Sequence, residues 1–550
     1  MISKNERRLS EMANQPAATK QGAGSLSLLI ILMAGLFVAI LNQTLLNVAM
    51  PHLMTEFNVS ATTIQWLTTG YMLVNGVLIP LSAFLITRFG QRSLFLVAMI
   101  SFTLGTFICG IAPNFSTMLI GRLIQAVGGG ILQPLVMTTI LFIFPPENRG
   151  KGMGIFGLAM MFAPAVGPTL SGYIIEHYSW RIMFYGLVPI GAIVIIAAFF
   201  MFKNIVEPKK IKLDTLGAIL SIVGFASLLY GVSEAGSDGW TDPIVLSTII
   251  IGAIAIILFI FQQLKADNPM LDFRVFKYSI FSLSSVINII ITVALYTGMF
   301  LLPIYLQNLV GFTALQSGLL MLPGALAMLI MSPISGILFD KFGPRPLAIV
   351  GMLITVVTTY EFTQLTIDTS YSHIVLMYAV RAFGMSLLMM PVMTAGMNQL
   401  PQHLNSHGTA MSNTLRQISG SIGTSLITTI YTNRTTFHYS NMADQTNTAD
   451  PFFMNSFQAA VSNVMHHMGM TAEAAQKYVS TQLFTKAQVD SNVMGINDAY
   501  MWVTLFCAAG VILSLFLRDV RKDKKRKEKQ DKKQEMTLLP APKEANQDAR

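Results

Sequence analysis

An arginine inside an apolar run is the first residue with chemistry to offer. Arg122 sits in the run 117–144, with Gln125 one helical turn later. A guanidinium at mid-bilayer costs about 2.5–3.5 kcal/mol on insertion scales, so it needs a wet cavity or a polar partner. The plainer alternative is a side chain reaching for the turn at Pro113–Ser116. A proton carrier needs a carboxylate that burial has pushed toward neutrality. No Asp or Glu lies deep in the first four spans, and Glu176 falls near the outer end of the fifth. Asn42 occupies span one; an amide does not titrate near neutral pH, which leaves it substrate binding or helix orientation by hydrogen bonding. Were the chain proton-driven, Glu361, in TTYEFTQLT, would be the first candidate to carry the proton, with Glu234 next and Asp214 at an interface. The bland alternative for Glu361 is a solvated position near the outer surface. Met389, Met390, Met393 and Met397 cluster in one span. Such side chains suit a pocket that repacks around varied ligands, or else simply face lipid.

Other chemistries find no footing. Cys109 and Cys507 both lie in apolar runs, which argues against a disulfide framework or metal cluster. His466 and His467 are neighbours and so do not share a helix face. No metal and no cofactor are expected. There is no GxxxxGK[ST] loop, no HExxH and no pair of intramembrane aspartates. The chain reads as something other than an enzyme.

These residues are positioned by lipid-facing helices. Charged residues make up 11% of the chain, apolar residues 53%, and the mean hydropathy is +0.58. Apolar runs near 27–48, 64–86, 93–112, 117–144, 153–175, 182–202, 215–234, 244–263, 280–306, 315–339, 346–367, 373–396, 408–431 and 497–517 predict fourteen transmembrane helices in an all-α integral membrane fold. The run from Leu26 to Val48 is too long for a signal-peptide core and stays as the first span. Lys and Arg concentrate in alternate loops (Arg88, Arg92; Arg149, Lys151; Lys203, Lys209, Lys210, Lys212; Lys265, Arg274, Lys277; Lys341, Arg345), which puts both termini in the cytoplasm of a plasma membrane. Arg181 is the main exception. The net charge of +9 is concentrated in ten Lys/Arg between Arg518 and Lys533. Such a tail rests on anionic membrane lipid and does not call for nucleic acid.

The resulting division is a cytoplasmic segment 1–25, a six-helix bundle 26–203, two inserted helices 204–270, a second six-helix bundle 271–517 and a basic tail 518–550. The second bundle carries an external loop at about 432–496, where Phe453, Phe457, Val461, Val464, Met465 and Met468 predict an amphipathic helix or helical hairpin. That hairpin could lie over the outer mouth or rest on the membrane surface. The bundles are repeats. AFLITRFGQR (Ala83–Arg92) and GILFDKFGPR (Gly336–Arg345) share a pattern, and each precedes a helix with an intramembrane arginine, Arg122 or Arg381, and a later proline, Pro134 or Pro391. Parallel repeats imply a central site opened by rocking. Pro164, Gly167, Pro168 and Gly172 predict a slim, bent helix five packed against the opposite bundle; Gly/Pro-rich helices are also common in membranes generally.

Several motifs carry a resemblance over nearly the whole chain: LNQTLLNVAMP (Leu41–Pro51), GRLIQAVGGG (Gly121–Gly130), APAVGPTLSG (Ala163–Gly172), WRIMFYGLVPIG (Trp180–Gly191), LPIYLQNLVGFTALQSGLLMLPG (Leu302–Gly324) and NTLRQISGSIG (Asn413–Gly423). In order and position they resemble the fourteen-span drug–proton antiporter branch of the major facilitator superfamily. The resemblance implies an exporter of small lipophilic compounds working by alternating access and proton antiport. It makes the span-five run a gate, and Arg122 a manager of protonation beside the central cavity. It makes the loop motif a latch through Asp340, Lys341, Gly343 and Arg345, with Arg88 and Arg92 in the first copy. That copy departs at Thr87, where aspartate is usual, and at Gln91; many relatives also carry aspartate where this chain has Asn42. A dedicated exporter of one native metabolite fits the same fold. A membrane-embedded enzyme or sensor has no supporting motif. Oligomeric state is not written in the sequence.

Overall fold

The computed structural model describes residues 23–59, 61–145, 148–205, 207–208, 214–235, 239–266, 269–445 and 451–519. Most of the expected N-terminal segment and basic tail lies outside them. Among the described residues all regular structure is helical. The α-helices are α1 (Ala23–Phe57), α2 (Ala61–Gly110), α3 (Phe115–Ile143), α4 (Arg149–His177), α5 (Arg181–Tyr185), α6 (Leu187–Met201), α7 (Thr215–Ala235), α8 (Pro243–Lys265), α9 (Ser279–Ile304), α10 (Ala314–Phe342), α11 (Pro344–Glu361), α12 (Tyr371–Gln399), α13 (Asn405–Gln445), α14 (Pro451–Met468) and α15 (Ala472–Ser514). Their exposed faces carry Ile193, Phe200, Phe261 and Ile330, while Asn42, Arg122, Gln125 and Arg381 are buried. Apolar outside and polar inside is the arrangement lipid demands.

Among the described residues twelve stretches are long and apolar enough to cross a membrane. One of them, Trp66–Gly110, runs 45 residues. That is about 68 Å of helix against a hydrocarbon core of about 30 Å. It breaks at Gly90 (φ 75°, ψ 163°). In the second loop motif Gly343 (φ 86°, ψ 179°) separates α10 from α11 in the same way. Only glycine enters that region without Cβ strain, so both copies of the motif need the glycine of Phe-Gly. The expected spans two and three are the two arms of α2.

α13 is too polar to be one of the twelve, yet Thr409, Ala410, Met411 and Asn413 are buried. Its hydroxyls are absorbed by its own backbone: Thr414 donates to the Ala410 carbonyl at 2.8 Å, Ser419 to Leu415 at 2.6 Å and Thr424 to Gly420 at 2.8 Å. The helix also runs past residue 431 to Gln445, and α15 starts at Ala472 rather than near 497. The region 432–496 is therefore mostly two helical arms plus α14. Polar residues of the segment join the arms: Asn492 accepts from the Tyr431 hydroxyl at 2.5 Å, and Arg434 and His438 both meet the same Asp498 oxygen, at 2.5 and 2.8 Å. The inserted pair α7–α8 is tied by Asp214, whose two oxygens accept from Gln262 and Gln263 at 2.6 Å each.

Candidate transport site

Arg122 is fully buried in α3. Its Nε donates to the Leu67 carbonyl at 3.1 Å, and its Nη1 donates to Asn42 Oδ1 at 2.9 Å and Gln125 Oε1 at 2.5 Å. The Tyr71 ring lies beneath the guanidinium, 4.3 Å from its centroid. Gln125 passes the network on, donating to the Thr106 hydroxyl at 2.7 Å. One cation thus joins α1, both arms of α2 and its own helix. The glycines of GRLIQAVGGG make this possible. A Cβ on Gly128 would strike the Ala98 carbonyl and Phe102, and one on Gly129 the Tyr71 hydroxyl. Tyr71 and Thr106 escaped the sequence reading. Tyr71 lies four residues after Leu67, on the same helix face, which was the available signal.

Arg381 occupies the corresponding place in α12. Its Nη2 donates to the Ala294 carbonyl at 2.5 Å and its Nε to the Thr359 hydroxyl at 3.3 Å. Gly298 leaves room for the guanidinium, which a Cβ there would overlap. A third intramembrane cation, Arg416, lies in the motif NTLRQISGSIG. Its Nη2 donates to Asn413 Oδ1 at 2.8 Å. It lines a cavity between α9, α12 and α13 with Asn288, Met389 and Met393. All four clustered methionines are buried, so they do not face lipid.

α4, carrying the Gly/Pro run, lies along α10 over its length. Near one end a Cβ on Gly150 would meet the Gly336 backbone; further along, the Ser332 hydroxyl donates to the Gly154 carbonyl at 2.9 Å; near the other end Gly318 faces Thr169 and Gly172 faces Leu315. Gly167 meets α1 instead, where a Cβ would collide with the Thr44 hydroxyl. Ser171 donates to the Leu45 carbonyl at 2.7 Å. Pro164 is half-buried; the side chain of Pro168 lies outside the described residues.

The two loop motifs are wired differently. The Asp340 carboxylate caps the start of α4, accepting from the backbone N–H groups of Gly150 at 3.2 Å and Lys151 at 3.1 Å. A carboxylate is well placed there because the first N–H groups of a helix have no intrahelical partner and carry partial positive charge. Beside it Arg149 is buried and donates to Asn398 at 3.2 Å. Lys341 and Arg345 are exposed, Lys341 with its ammonium 5.3 Å from the Phe342 ring centroid. In the first copy the Thr87 hydroxyl turns back to the Ala83 carbonyl at 2.9 Å. Arg92 holds Asn204 and the Phe199 carbonyl within its own half, at 2.8 and 2.7 Å, and Arg88 sits beside Phe89.

Glu361 is corrected. It is the last residue of α11 and exposed, so it lacks the burial expected of a proton carrier. The run TTYEFTQLT is apolar enough to read as span, but the helix gives way to a short turn at Phe362–Gln364. Glu234 is half-buried one residue before the end of α7. At the end opposite the loop motifs, Arg181 proves to be compensated. Glu56 accepts from Arg181 at 2.7 Å and from the Trp180 indole at 2.6 Å. Burial alone would raise the Glu56 pKa, but these two donors outweigh it and hold the carboxyl below its usual value. Among the described residues no cluster of three His, Cys, Asp or Glu could hold a metal.

Arginine-bearing helices around a buried polar centre, inside an apolar helical shell, define a multi-span membrane transporter. The chain belongs to the Major Facilitator Superfamily, whose family model matches residues 32–424. It is 83% identical over 528 residues to the Bacillus subtilis (strain 168) protein called uncharacterized MFS-type transporter YhcA, covering 96% of this chain and 99% of that one. It is 41% identical over 438 residues to the lincomycin resistance protein LmrB of Bacillus subtilis, covering 79% and 90%. Among solved structures, the human organic anion transporter MFSD10 (TETRAN) matches with a TM-score of 0.60 at 12% identity, over 90% of this chain and all of that one. At that identity the likeness concerns the fold alone.

Proposed function

We propose that this transporter exports lipophilic small molecules, drugs among them, across the plasma membrane of a bacterium by alternating access driven by proton entry. The name of the LmrB relative supports an antibiotic-like cargo. In this reading the chain crosses the membrane fourteen times, counting both arms of α2 and α13, with bundles at 26–203 and 271–517 and inserted helices at 204–270. The loop motifs and both termini face the cytoplasm, and the basic tail lies on anionic lipid. The observation that carries the reading is the glycine-lined seam between α4 and α10. Two halves that approach this closely, and are clasped by Asp340 at one end, can rock about the seam and expose the centre alternately.

Arg122 with Asn42 and Gln125 shapes the centre; Pro164, Gly167, Pro168 and Gly172 form the gate; Asp340, Lys341, Gly343 and Arg345 latch it, Arg88 and Arg92 bracing the first half. Coupling falls to a carboxylate outside the Arg122 network, with Glu234 preferred to the exposed Glu361. The test is lincomycin transport into inverted vesicles under an imposed pH gradient. Gradient-dependent accumulation by the wild type, lost in Glu234→Gln and kept in Glu361→Gln, is the expected result. Accumulation indifferent to the gradient would reject proton antiport.

A further inference from the structure

The helices that surround the centre carry positive charge without an acidic counterpart. Arg122, Arg381 and Arg416 lie within them, whereas α1 before Glu56, both arms of α2, and α3, α9 and α12 contain no Asp or Glu, and α13 has none before Asp444. Two of the three arginines are committed to the protein: Arg122 to Leu67, Asn42 and Gln125, and Arg381 to Ala294 and Thr359. Arg416 is not. Nη2 is held by Asn413, but Nη1 is shielded from solvent and has no hydrogen-bond partner. A guanidinium has five donors and no way to shed its charge, so a shielded, unmatched N–H is costly unless something comes to accept it.

The surroundings of that N–H have the chemistry of a ligand site, although the cavity is narrow, about 20 Å³ or room for one water, so a ligand must push its walls apart. Arg416, Asn288, Ser285, Thr292, Met389 and Met393 line one cavity. The Ser285 and Thr292 hydroxyls donate to Phe281 and Asn288 carbonyls, so neither lends its proton to a ligand. The two methionines offer a deformable apolar wall. Arg416 stands eleven residues into α13 from Asn405, about 16 Å along the axis and near the middle of a bilayer core of about 30 Å. We infer that Arg416 anchors a carboxylate or similar anionic group of the transported molecule, with its lipophilic body against Met389 and Met393. The preferred cargo is then a lipophilic anion, and a basic drug such as lincomycin is carried without the Arg416 anchor. The inference rests on the efflux reading above and narrows its substrate class.

The experiment uses the purified full-length chain in lipid nanodiscs and two fluorescent probes, N-dansyl-phenylalanine and its uncharged methyl ester. The wild type should bind the acid at least about tenfold more tightly than the ester, the scale of a charge-assisted hydrogen bond in a shielded site. Arg416→Gln should erase that preference by weakening the acid and leaving the ester within about twofold. Arg416→Lys keeps the charge but not the planar fork, and should retain only part of it. Size-exclusion profiles and helical content establish which variants fold; if the glutamine variant does not, the lysine variant decides. Equal binding of acid and ester by the wild type, binding of neither, or an undiminished preference in whichever variant folds would overturn the assignment. Transport of the ester in inverted vesicles reads the efflux proposal separately. Ester pumped without acid preference sinks the Arg416 anchor and leaves efflux standing, whereas an Arg416-dependent acid site with neither probe pumped keeps the anchor and sinks efflux.

Discussion

Arg122 and Arg381 sit at equivalent points of the two repeats and are held in different ways. Arg122 is gripped mainly by side chains, through Asn42, Gln125 and, beyond it, Thr106. Arg381 leans on a backbone carbonyl and a single hydroxyl, with Gly298 making room. A side-chain network can be rewired by changing one residue, whereas a backbone carbonyl is fixed by the helix that carries it. The first half is therefore built to be tuned and the second to brace. The loop motifs divide the work in the opposite sense, since Asp340 of the second half reaches across to α4 while Thr87 and Arg92 stay within the first.

The largest test of this contrast is paired neutralisation. Arg122→Gln leaves Asn42, Gln125 and the Leu67 carbonyl short of a charged donor, and should cut vesicle transport by about a hundredfold or more per folded molecule; Arg381→Gln should cost about tenfold. Equal losses would show that the wiring difference has no functional weight. The latch comes next. Asp340→Ala removes two charge-assisted hydrogen bonds worth about 1–3 kcal/mol together, and should visibly populate a state open at the motif end. Spin labels at positions 203 and 277 read it as a longer distance, while Thr87→Ala should leave the distribution unchanged because Thr87 serves only its own helix.

Within the gate run, Gly167→Ala should lower stability by about 1–3 kcal/mol, since the new methyl meets the Thr44 hydroxyl. Gly172→Ala should be nearly silent, its Cβ lying 3.7 Å from Leu315. A thermal melt separates the two. The smallest effect concerns Glu56, a first-half clasp that is about a third exposed, 35%. Its folded pKa is lowered, so its stabilisation is in force above the unfolded value of 4.5 and is lost as pH falls below that through the folded value. Screening limits it to about 1 kcal/mol or less. Glu56→Gln should lower the melting temperature slightly at pH 7 and flatten its acid dependence; an identical slope in both proteins would remove Glu56 from the account.

Much of the centre was legible because lipid makes polarity conspicuous. An arginine among apolar residues announces a partner, and Arg122, Gln125 and Asn42 do meet. The glycines of span five were legible as close-approach positions but not their partners, since Gly167 meets α1 and the tightest contacts with α10 fall to Gly150, Gly154 and Gly157. What could not be read were choices between partners of similar chemistry. Nothing in the string says that Asp340 takes the backbone N–H groups that open α4, because backbone donors are present at every residue. Glu361 misled for a related reason: apolar neighbours extend past the end of α11, so burial looked continuous where the helix stops. In segment 432–496 the amphipathic helix was legible and is α14 (Pro451–Met468), but the helical arms on either side were not, because Arg434, His438 and Asn492 find their partners on the other arm, at Asp498 and Tyr431.

That clasp has a mechanical consequence. α13 has 41 residues, about 60 Å of helix, of which a bilayer core occupies roughly half. The remainder stands clear of the membrane, bolted to α15 at Asp498. Any tilt of α13 during the transport cycle is handed to its neighbour and enlarged at the tip, like the needle of a gauge. With the loop motifs facing the cytoplasm, as proposed above, a reporter fixed to this spar would register the turnover of a single molecule from outside the cell without touching the path the cargo takes.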